Sequence, residues 1–265
     1  MAVITLTTEW KPEDYYFGIA RGILESLVPG ARIVVNAAAI PPLNIAHAAF
    51  VIRNTFHHYP PGTIHIILVH TESDSRNRQL LVKAQDHYFI GTDTGVFSLA
   101  LNTEPELVQS LTRLDGESDI MLFARTAAAL SGGTLASAPG EPAGSIREMM
   151  PLRATIDSGA INGSVIFIDS YGNAITNITR ETFSRVFGKN PFNIYIQSNK
   201  HRIDRISVNF NDVPVSELLA RFNNLELLEI AINGANLSEL FSLEPGSVVR
   251  ITTGAEAKGG TGLFT

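Results

Sequence analysis

Residues 63–70 read TIHIILVH. The run is apolar without clean alternation, as a strand covered on both faces would be. Its neighbours on either side add strands and helices in turn. On the N-terminal side, residues 3–7 alternate and are β-branched, which predicts a strand. Pro12, Glu13 and Asp14 then open a helix, with Asp14 as its cap and Phe17, Ile19, Ile23, Leu24 and Leu27 as its apolar side. Pro29-Gly30 stops that helix. Residues 32–36 read as a second short strand, Pro41-Pro42 breaks the chain, and Asn44 caps a helix through Phe56. On the C-terminal side, residues 79–83 and 87–91 read as strands paired around a turn at Gln85-Asp86. Residues 120–130 read as a helix ending at Gly132-Gly133. This alternation predicts an α/β layer structure up to about residue 130.

Residues 134–163 differ. They are rich in Ala, Ser, Pro and Gly, with Pro139, Pro142 and Pro151, and read as a linker. Strands dominate after it, at 165–169, 174–178, 192–197, 205–209, 227–232 and 248–252, with short helices near 180–187 and 237–241. A smaller, β-rich second domain follows from that spacing. The glycine-rich tail after Thr253 reads as loosely held.

Composition narrows the function classes. The 265 residues are 45% apolar and 17% charged, which is globular composition and excludes a disordered chain. A net charge of -6 gives nucleic-acid binding no bulk electrostatic support. Cysteine is absent, which removes disulfides, thiolate nucleophiles and Cys-ligated zinc. No apolar run approaches the ~20 residues of a membrane helix. The expectation is a soluble, cytoplasmic protein without a membrane or nucleic-acid partner.

The seven histidines, at 47, 57, 58, 65, 70, 87 and 201, show no HExxH or other ligand spacing, so no metal site is expected. Nucleophile-elbow, P-loop and GxGxxG motifs are absent. Three stretches carry more. Residues 6–22 (LTTEWKPEDYYFGIARG) put an acid, Glu9, at the end of the first strand, the edge where open α/β sheets bind ligands. Residues 62–95 join the buried strand to a polar loop, a hairpin and a D-x-G turn. Residues 165–178 (VIFIDSYGNAITNI) bring Asp169, Tyr171 and Asn173 within five residues on a tight Gly turn. A carboxylate, an aromatic face and an amide suit a small polar ring-bearing ligand. The same residues read equally well as a plain β-turn, with Gly172 supplying φ > 0 and Asn173 bonding the backbone.

Taken together these stretches resemble the S-adenosylmethionine (SAM) hydroxide adenosyltransferases, relatives of the fluorinase and chlorinase enzymes. The resemblance covers nearly the whole chain and is most specific at IDSYGNAITNI, residues 168–178. YPPGTIHIILV, LLVKAQDHYFIGTDTG and LLEIAINGAN support it. It implies an N-terminal α/β sandwich domain with a central, mostly parallel sheet at 1–150 and a smaller C-terminal β-barrel domain at 160–265. It also implies a homotrimer with SAM bound between subunits and no cofactor besides SAM itself as substrate or ligand. By resemblance, Asp169 holds the methionine amino group, Tyr171 packs on adenine and Asn173 reads the adenine edge. Glu9 stands where the family has an Asp gripping the ribose hydroxyls, and Asn233 and Asn236 lie in the segment that contacts the base.

The water-activating residues of the hydrolases do not carry over. Their Asp position is His70, their Arg position is Asn77, flanked by Arg76 and Arg78, and their His position falls near Ser118. His70 is the candidate general base, since an imidazole titrates near neutral pH, and Asp74 can orient it. The bland alternative is a polar residue closing a strand. Two functions are therefore expected: a SAM hydrolase forming adenosine and L-methionine, or a trimer that binds SAM or adenosine without turnover. An altered substrate, set by loop 71–78, is a third.

Overall fold

The computed structural model describes residues 1–72, 77–133 and 138–254. The chain forms two units, Met1–Met150 and Pro151–Thr265.

The first unit is built on strands β1 (Val3–Thr8), β2 (Arg32–Ala37), β3 (Ile64–Leu68), β4 (Gln79–Ala84), β5 (His87–Thr92), β6 (Leu107–Ser110) and β7 (Glu141–Pro142). Their order across one sheet is β2-β1-β3-β5-β4-β6-β7. β2, β1, β3 and β5 run parallel, and β4, β6 and β7 add antiparallel pairings on one side. All five residues of β3 are buried, because both faces are covered. On one face Ile64, Ile66 and Leu68 meet helices α1 (Tyr15–Leu27) and, further along the chain, α4 (Asp119–Ser131). On the other, Ile67 and Val69 meet α2 (Ile45–Thr55) and α3 (Val96–Ala100). The missing alternation in TIHIILVH is thus the mark of a central strand in a three-layer α/β/α unit. Gln85 and Asp86 both have left-handed φ, 49° and 61°, the conformation of a two-residue hairpin turn.

Several local expectations change. Ile19 and Leu27 of α1 are 45% and 40% exposed, whereas Phe17 and Leu24 face the core as expected and Ala20 joins them. Asp14 occupies the cap position, but its carboxylate turns back to accept from the Lys11 N–H at 2.8 Å rather than from the helix. Residues 138–150, read as linker, are held against the sheet. β7 pairs with β6, Asp93 accepts from the Arg147 N–H at 2.9 Å, and Ser98 accepts from the Met149 N–H at 2.9 Å. Small residues and prolines there fit an edge strap, where Pro142 needs no ladder N–H.

The second unit holds β8 (Thr155–Asp157), β9 (Ala160–Ile168), β10 (Ala174–Thr179), β11 (Phe192–Ile196), β12 (Ser198–Ile203), β13 (Leu218–Phe222), β14 (Leu227–Ile232) and β15 (Val248–Thr253). Seven follow the order β12-β11-β15-β9-β10-β14-β13, and β8 pairs with β9. The end strands β12 and β13 approach each other, so the sheet is nearly closed into a barrel. Ile161, Val165, Ile178, Ile194, Ile230 and Ile251 fill it. Helices α5 (Arg180–Val186) and α6 (Leu237–Phe241) cap connections. Residues 205–209, read as a strand, are irregular apart from one bridge, Ser207 to Arg221; β12 and β13 take the places on either side. Their alternation was broken by Lys, His and Arg in the first and masked by Leu-Leu in the second. The tail beyond Gly254, read as loosely held, lies outside the described residues, as do Asp74 and Arg76.

No helix among the described residues is long and apolar enough to cross a membrane.

Candidate functional site

In the second unit, β9 and β10 are joined by the turn 169–173. The Asp169 carboxylate organises it. One oxygen accepts from the N–H groups of Tyr171 and Asn173, each at 2.9 Å, and the other from the Asn173 side-chain amide at 3.0 Å. Gly172 has φ +82°, open to glycine without strain, and a Cβ there would collide with the Asn236 side chain. Asn173 is buried, whereas Tyr171 is 78% exposed. The β-turn reading of these residues holds at Gly172, but the side chain that bonds the turn's backbone is Asp169, while the Asn173 amide bonds the Asp169 carboxylate.

A second wall follows β14. Asn233 donates its side-chain amide to the Val213 carbonyl at 2.9 Å. Asn236 caps α6, its side-chain oxygen accepting from the Ser238 hydroxyl at 2.8 Å and the Glu239 N–H at 3.1 Å. The two walls are tied by Ser238, whose N–H donates to the Gly172 carbonyl at 3.0 Å. Between them lies a cavity of about 450 Å³, lined by Tyr171, Asn173, Asn233, Asn236, the intervening backbone, Ile232 and Phe210. The structure thus brings together four residues that sequence reading singled out from two stretches some sixty positions apart.

Phe210 was missed. It opens a short 3-10 turn, Phe210–Asp212, closed by a capping box between Asn209 and Asp212. That Asn-x-x-Asp spacing was the available signal against a strand. N–H groups of Asn209 and Val208 hold the Asp212 carboxyl below its usual range. The Arg221 guanidinium lies 4.9 Å from the Phe210 ring centre. Arg221 pairs across the ladder with Glu229, which is buried. Burial raises the Glu229 pKa, the nearby Asp169 charge adds to that, and Arg221 opposes it.

In the first unit, parallel strands β2, β1 and β3 end at one edge. The chain leaves β1 for β2 on one side and returns to β3 on the other, so this edge is the switch point where open sheets take ligands. Glu9 directly follows β1, and His70 lies two residues past β3. One Glu9 oxygen, Oε2, accepts from the Leu43 N–H at 2.9 Å and the His70 N–H at 3.4 Å. Leu43 and His70 both carry left-handed φ, 61° and 50°, as does Ala39 at 56°. Non-glycine residues rarely adopt that conformation, and two of these three give their N–H to one carboxylate while Ala39 bonds the Trp10 carbonyl, a concentration that marks stored strain. His70 is half-buried.

Further along the same edge, the buried Asp93 carboxylate accepts from the Arg147 N–H and lies 3.5 Å from Arg78. Asn77 accepts from the Arg147 guanidinium at 2.8 Å. Ser118 caps α4, accepting from the Met121 N–H at 3.3 Å. The edge can present a carboxylate and an imidazole on adjoining turns. Among the described residues no group of three His, Cys, Asp or Glu side chains could hold a metal ion.

The sheet edge and the hairpin cavity each fall within a domain of known type. A family model described as SAM hydroxide adenosyltransferase N-terminal domain matches residues 4–138, and one described as the C-terminal domain matches residues 163–250. The chain belongs to the SAM hydroxide adenosyltransferase family. A relative named (R)-S-adenosyl-L-methionine hydrolase, from Salinispora arenicola (strain CNS-205), is 26% identical over 268 residues, covering 95% of this chain and 98% of its own length. One of the same name from Thermus thermophilus is 24% identical, covering 95% and 100%. Among solved structures, an uncharacterized conserved protein from Thermotoga maritima matches with a TM-score of 0.82 at 22% identity, over 94% of this chain and 99% of that one. A conserved hypothetical protein from Thermus thermophilus matches at 0.74 and 25%, over 95% and 100%. These likenesses extend the family's two-domain fold over nearly the whole chain.

Proposed function

We propose that the protein binds SAM and hydrolyses it to adenosine and L-methionine. One observation carries the reading: Tyr171 and Asn173 from one turn and Asn233 and Asn236 from another line a single cavity of about 450 Å³. Their hydrogen bonds define what it takes. Asn173 and Asn233 each commit one amide N–H, to Asp169 and Val213, which sets the orientation of the amide and leaves its oxygen as an acceptor. Asn236 spends its oxygen on Ser238 and Glu239 and keeps its NH₂ as a donor. Acceptors and a donor beside the Tyr171 and Phe210 rings suit adenine, which offers an exocyclic amine and bare ring nitrogens. The names of the relatives favour SAM as the adenine-bearing ligand.

In this reading Asp169 also receives the methionine ammonium group. Glu9 takes a ribose hydroxyl on Oε1, which accepts no hydrogen bond among the described residues. His70 acts as the general base. A water oxygen attacks C5′ in line, the C5′–sulfur bond breaks, its electron pair stays on sulfur as the neutral thioether of methionine, and the water proton passes to His70. In-line placement supplies much of the rate. A homotrimer presents the sheet edge of one subunit to the cavity of the next.

The test is incubation with each sulfonium epimer of SAM, followed by chromatography. Adenosine and methionine in equal amounts from the R epimer are expected, and no product at high enzyme over a long incubation rejects hydrolysis. Light scattering should give three times the 28.7 kDa chain mass.

A second reading, binding without turnover, has specific support. Asn77 and Ser118 stand where the resemblance places catalytic residues, and both side chains are engaged structurally, with Arg147 and as the α4 cap. Calorimetric heat with SAM or adenosine, and no adenosine formed, selects it; no heat and no melting shift with either ligand removes it.

A further inference from the structure

We infer that Glu9 is a positioning residue for His70, acting as a clamp between two strained turns. This deepens the proposed hydrolytic reading and rests on it for its functional half. The clamp itself stands on geometry. A single oxygen, Oε2, receives N–H groups from Leu43, in the loop after β2, and from His70, after β3. Both donors sit in left-handed backbone, at φ 61° and 50°. Leucine gains nothing intrinsic from that conformation and histidine, though it tolerates it better than most, still gives up stability there, so an outside acceptor helps to hold both. A carboxylate accepting backbone N–H groups is such a group: the Leu43 bond, at 2.9 Å, has the length of a charge-assisted one, and the His70 contact, at 3.4 Å, is the looser arm of the bridge.

The neighbouring backbone fixes Glu9 in turn. Its N–H donates to the Leu68 carbonyl at 3.2 Å, which welds it to the end of β3. The Ala39 N–H donates to the Trp10 carbonyl at 3.0 Å and the Ile40 N–H to Thr8 at 3.2 Å, which closes the loop over β1. The backbone from which the imidazole projects is therefore set by a residue 61 positions away. Glutamate has the reach for this bridge; aspartate, one methylene shorter, would hold its carboxylate nearer the β1 backbone and farther from the two N–H groups. Oε1 remains for ligand, so clamp and ligand contact use different oxygens of one side chain.

The experiment is amide hydrogen exchange resolved at Leu43 and His70, with a pH–rate profile, on the full-length chain. Glu9→Ala should lower protection of both amides together, by about tenfold or more. Glu9→Gln, which keeps an acceptor oxygen but not the charge, should restore part of it. Protection unchanged in Glu9→Ala, or lost at only one of the two amides, overturns the clamp. If Glu9→Ala fails to fold, Glu9→Asp makes the same comparison. For the functional half, read at saturating SAM so that the lost ribose contact falls in KM, Glu9→Ala should lower kcat in the wild-type background and lower it no further when His70→Asn is already present. Additive losses overturn action through His70. A wild-type protein that forms no adenosine sinks the hydrolytic reading, while the exchange data still decide the clamp.

Discussion

The sheet edge of the first unit and the hairpin cavity of the second are made in opposite ways. The cavity is stitched mostly from short-range bonds: Asp169 braces its own turn and Asn236 caps its own helix, with two longer bonds, Ser238 to Gly172 and Asn233 to Val213, tying the walls together and to the preceding chain. The edge is stitched from long-range bonds, Glu9 to Leu43 and Glu9 to His70, over strained backbone. The cores differ as well. The barrel is filled by isoleucine, leucine and phenylalanine. The first unit buries a polar chain beneath α2, in which Thr5 Oγ1 lies 2.8 Å from His65 Nδ1 and His65 Nε2 lies 3.1 Å from His87 Nδ1. Local stitching makes a pocket whose parts can be removed one at a time. Long-range stitching makes an edge whose parts fail together.

The strongest challenge to this contrast is Gly172→Ala. It adds a Cβ against Asn236 at positive φ, so it should destabilise the second unit by about 3 kcal/mol and abolish adenosine binding, seen by thermal melting and calorimetry. A fully stable variant would show the turn to be loosely packed. Asp169→Ala removes three hydrogen bonds and should cost about 2–3 kcal/mol. If the stitching is local, exchange rates rise in 168–174 and 236–239 and nowhere in the first unit.

Acid should separate the two units. Burial, then the neighbouring His87, push the His65 pKa down to about 3, and burial lowers His87 as well. A depressed histidine favours the neutral ring in the fold, so the unfolded chain binds more protons between about pH 6.5 and 3. Stability is present above 6.5 and is lost as pH falls through that window, by about 2 kcal/mol at pH 5 for His65. Glu229, with a raised pKa, has the opposite sign: its contribution is present at low pH and is lost as pH rises through its folded value. Exchange at pH 5 should open the first unit before the second, and His65→Phe should flatten the difference. Equal responses would break the contrast. The smallest effect on stability belongs to Tyr171→Ala. Its ring is 78% exposed, so melting should stay within about 0.5 kcal/mol while adenosine affinity falls by about 1–2 kcal/mol.

Legibility in the sequence follows the same division. β3 was readable because burial on both faces erases alternation, and the Gln85-Asp86 turn because two flanking strands frame it. Asp169, Tyr171 and Asn173 stood out because their spacing is local. Phe210 did not, because nothing nearby in sequence tells which cavity it lines. The Glu9 clamp was equally hidden: an acid after a strand says nothing about a partner 61 positions away. The strap at 138–150 looked like a linker because edge positions tolerate proline and small residues, and its anchor, Asp93, lies in another strand's turn. The exposure of Ile19 and Leu27 escaped because helical periodicity marks an apolar stripe without showing how wide a face the sheet covers.

The contact between His65 and His87 leaves room for one hydrogen between the two rings. If His65 donates it, the neutral His65 ring is bare at Nδ1 and the Thr5 hydroxyl must donate; if His87 donates it, His65 carries its hydrogen on Nδ1 and Thr5 must accept. Tautomer and hydroxyl rotor therefore switch as a set, a hydrogen-only rearrangement that crosses three strands while every heavy atom stays in place. Nitrogen-15 chemical shifts of the two imidazoles should move in concert, never singly.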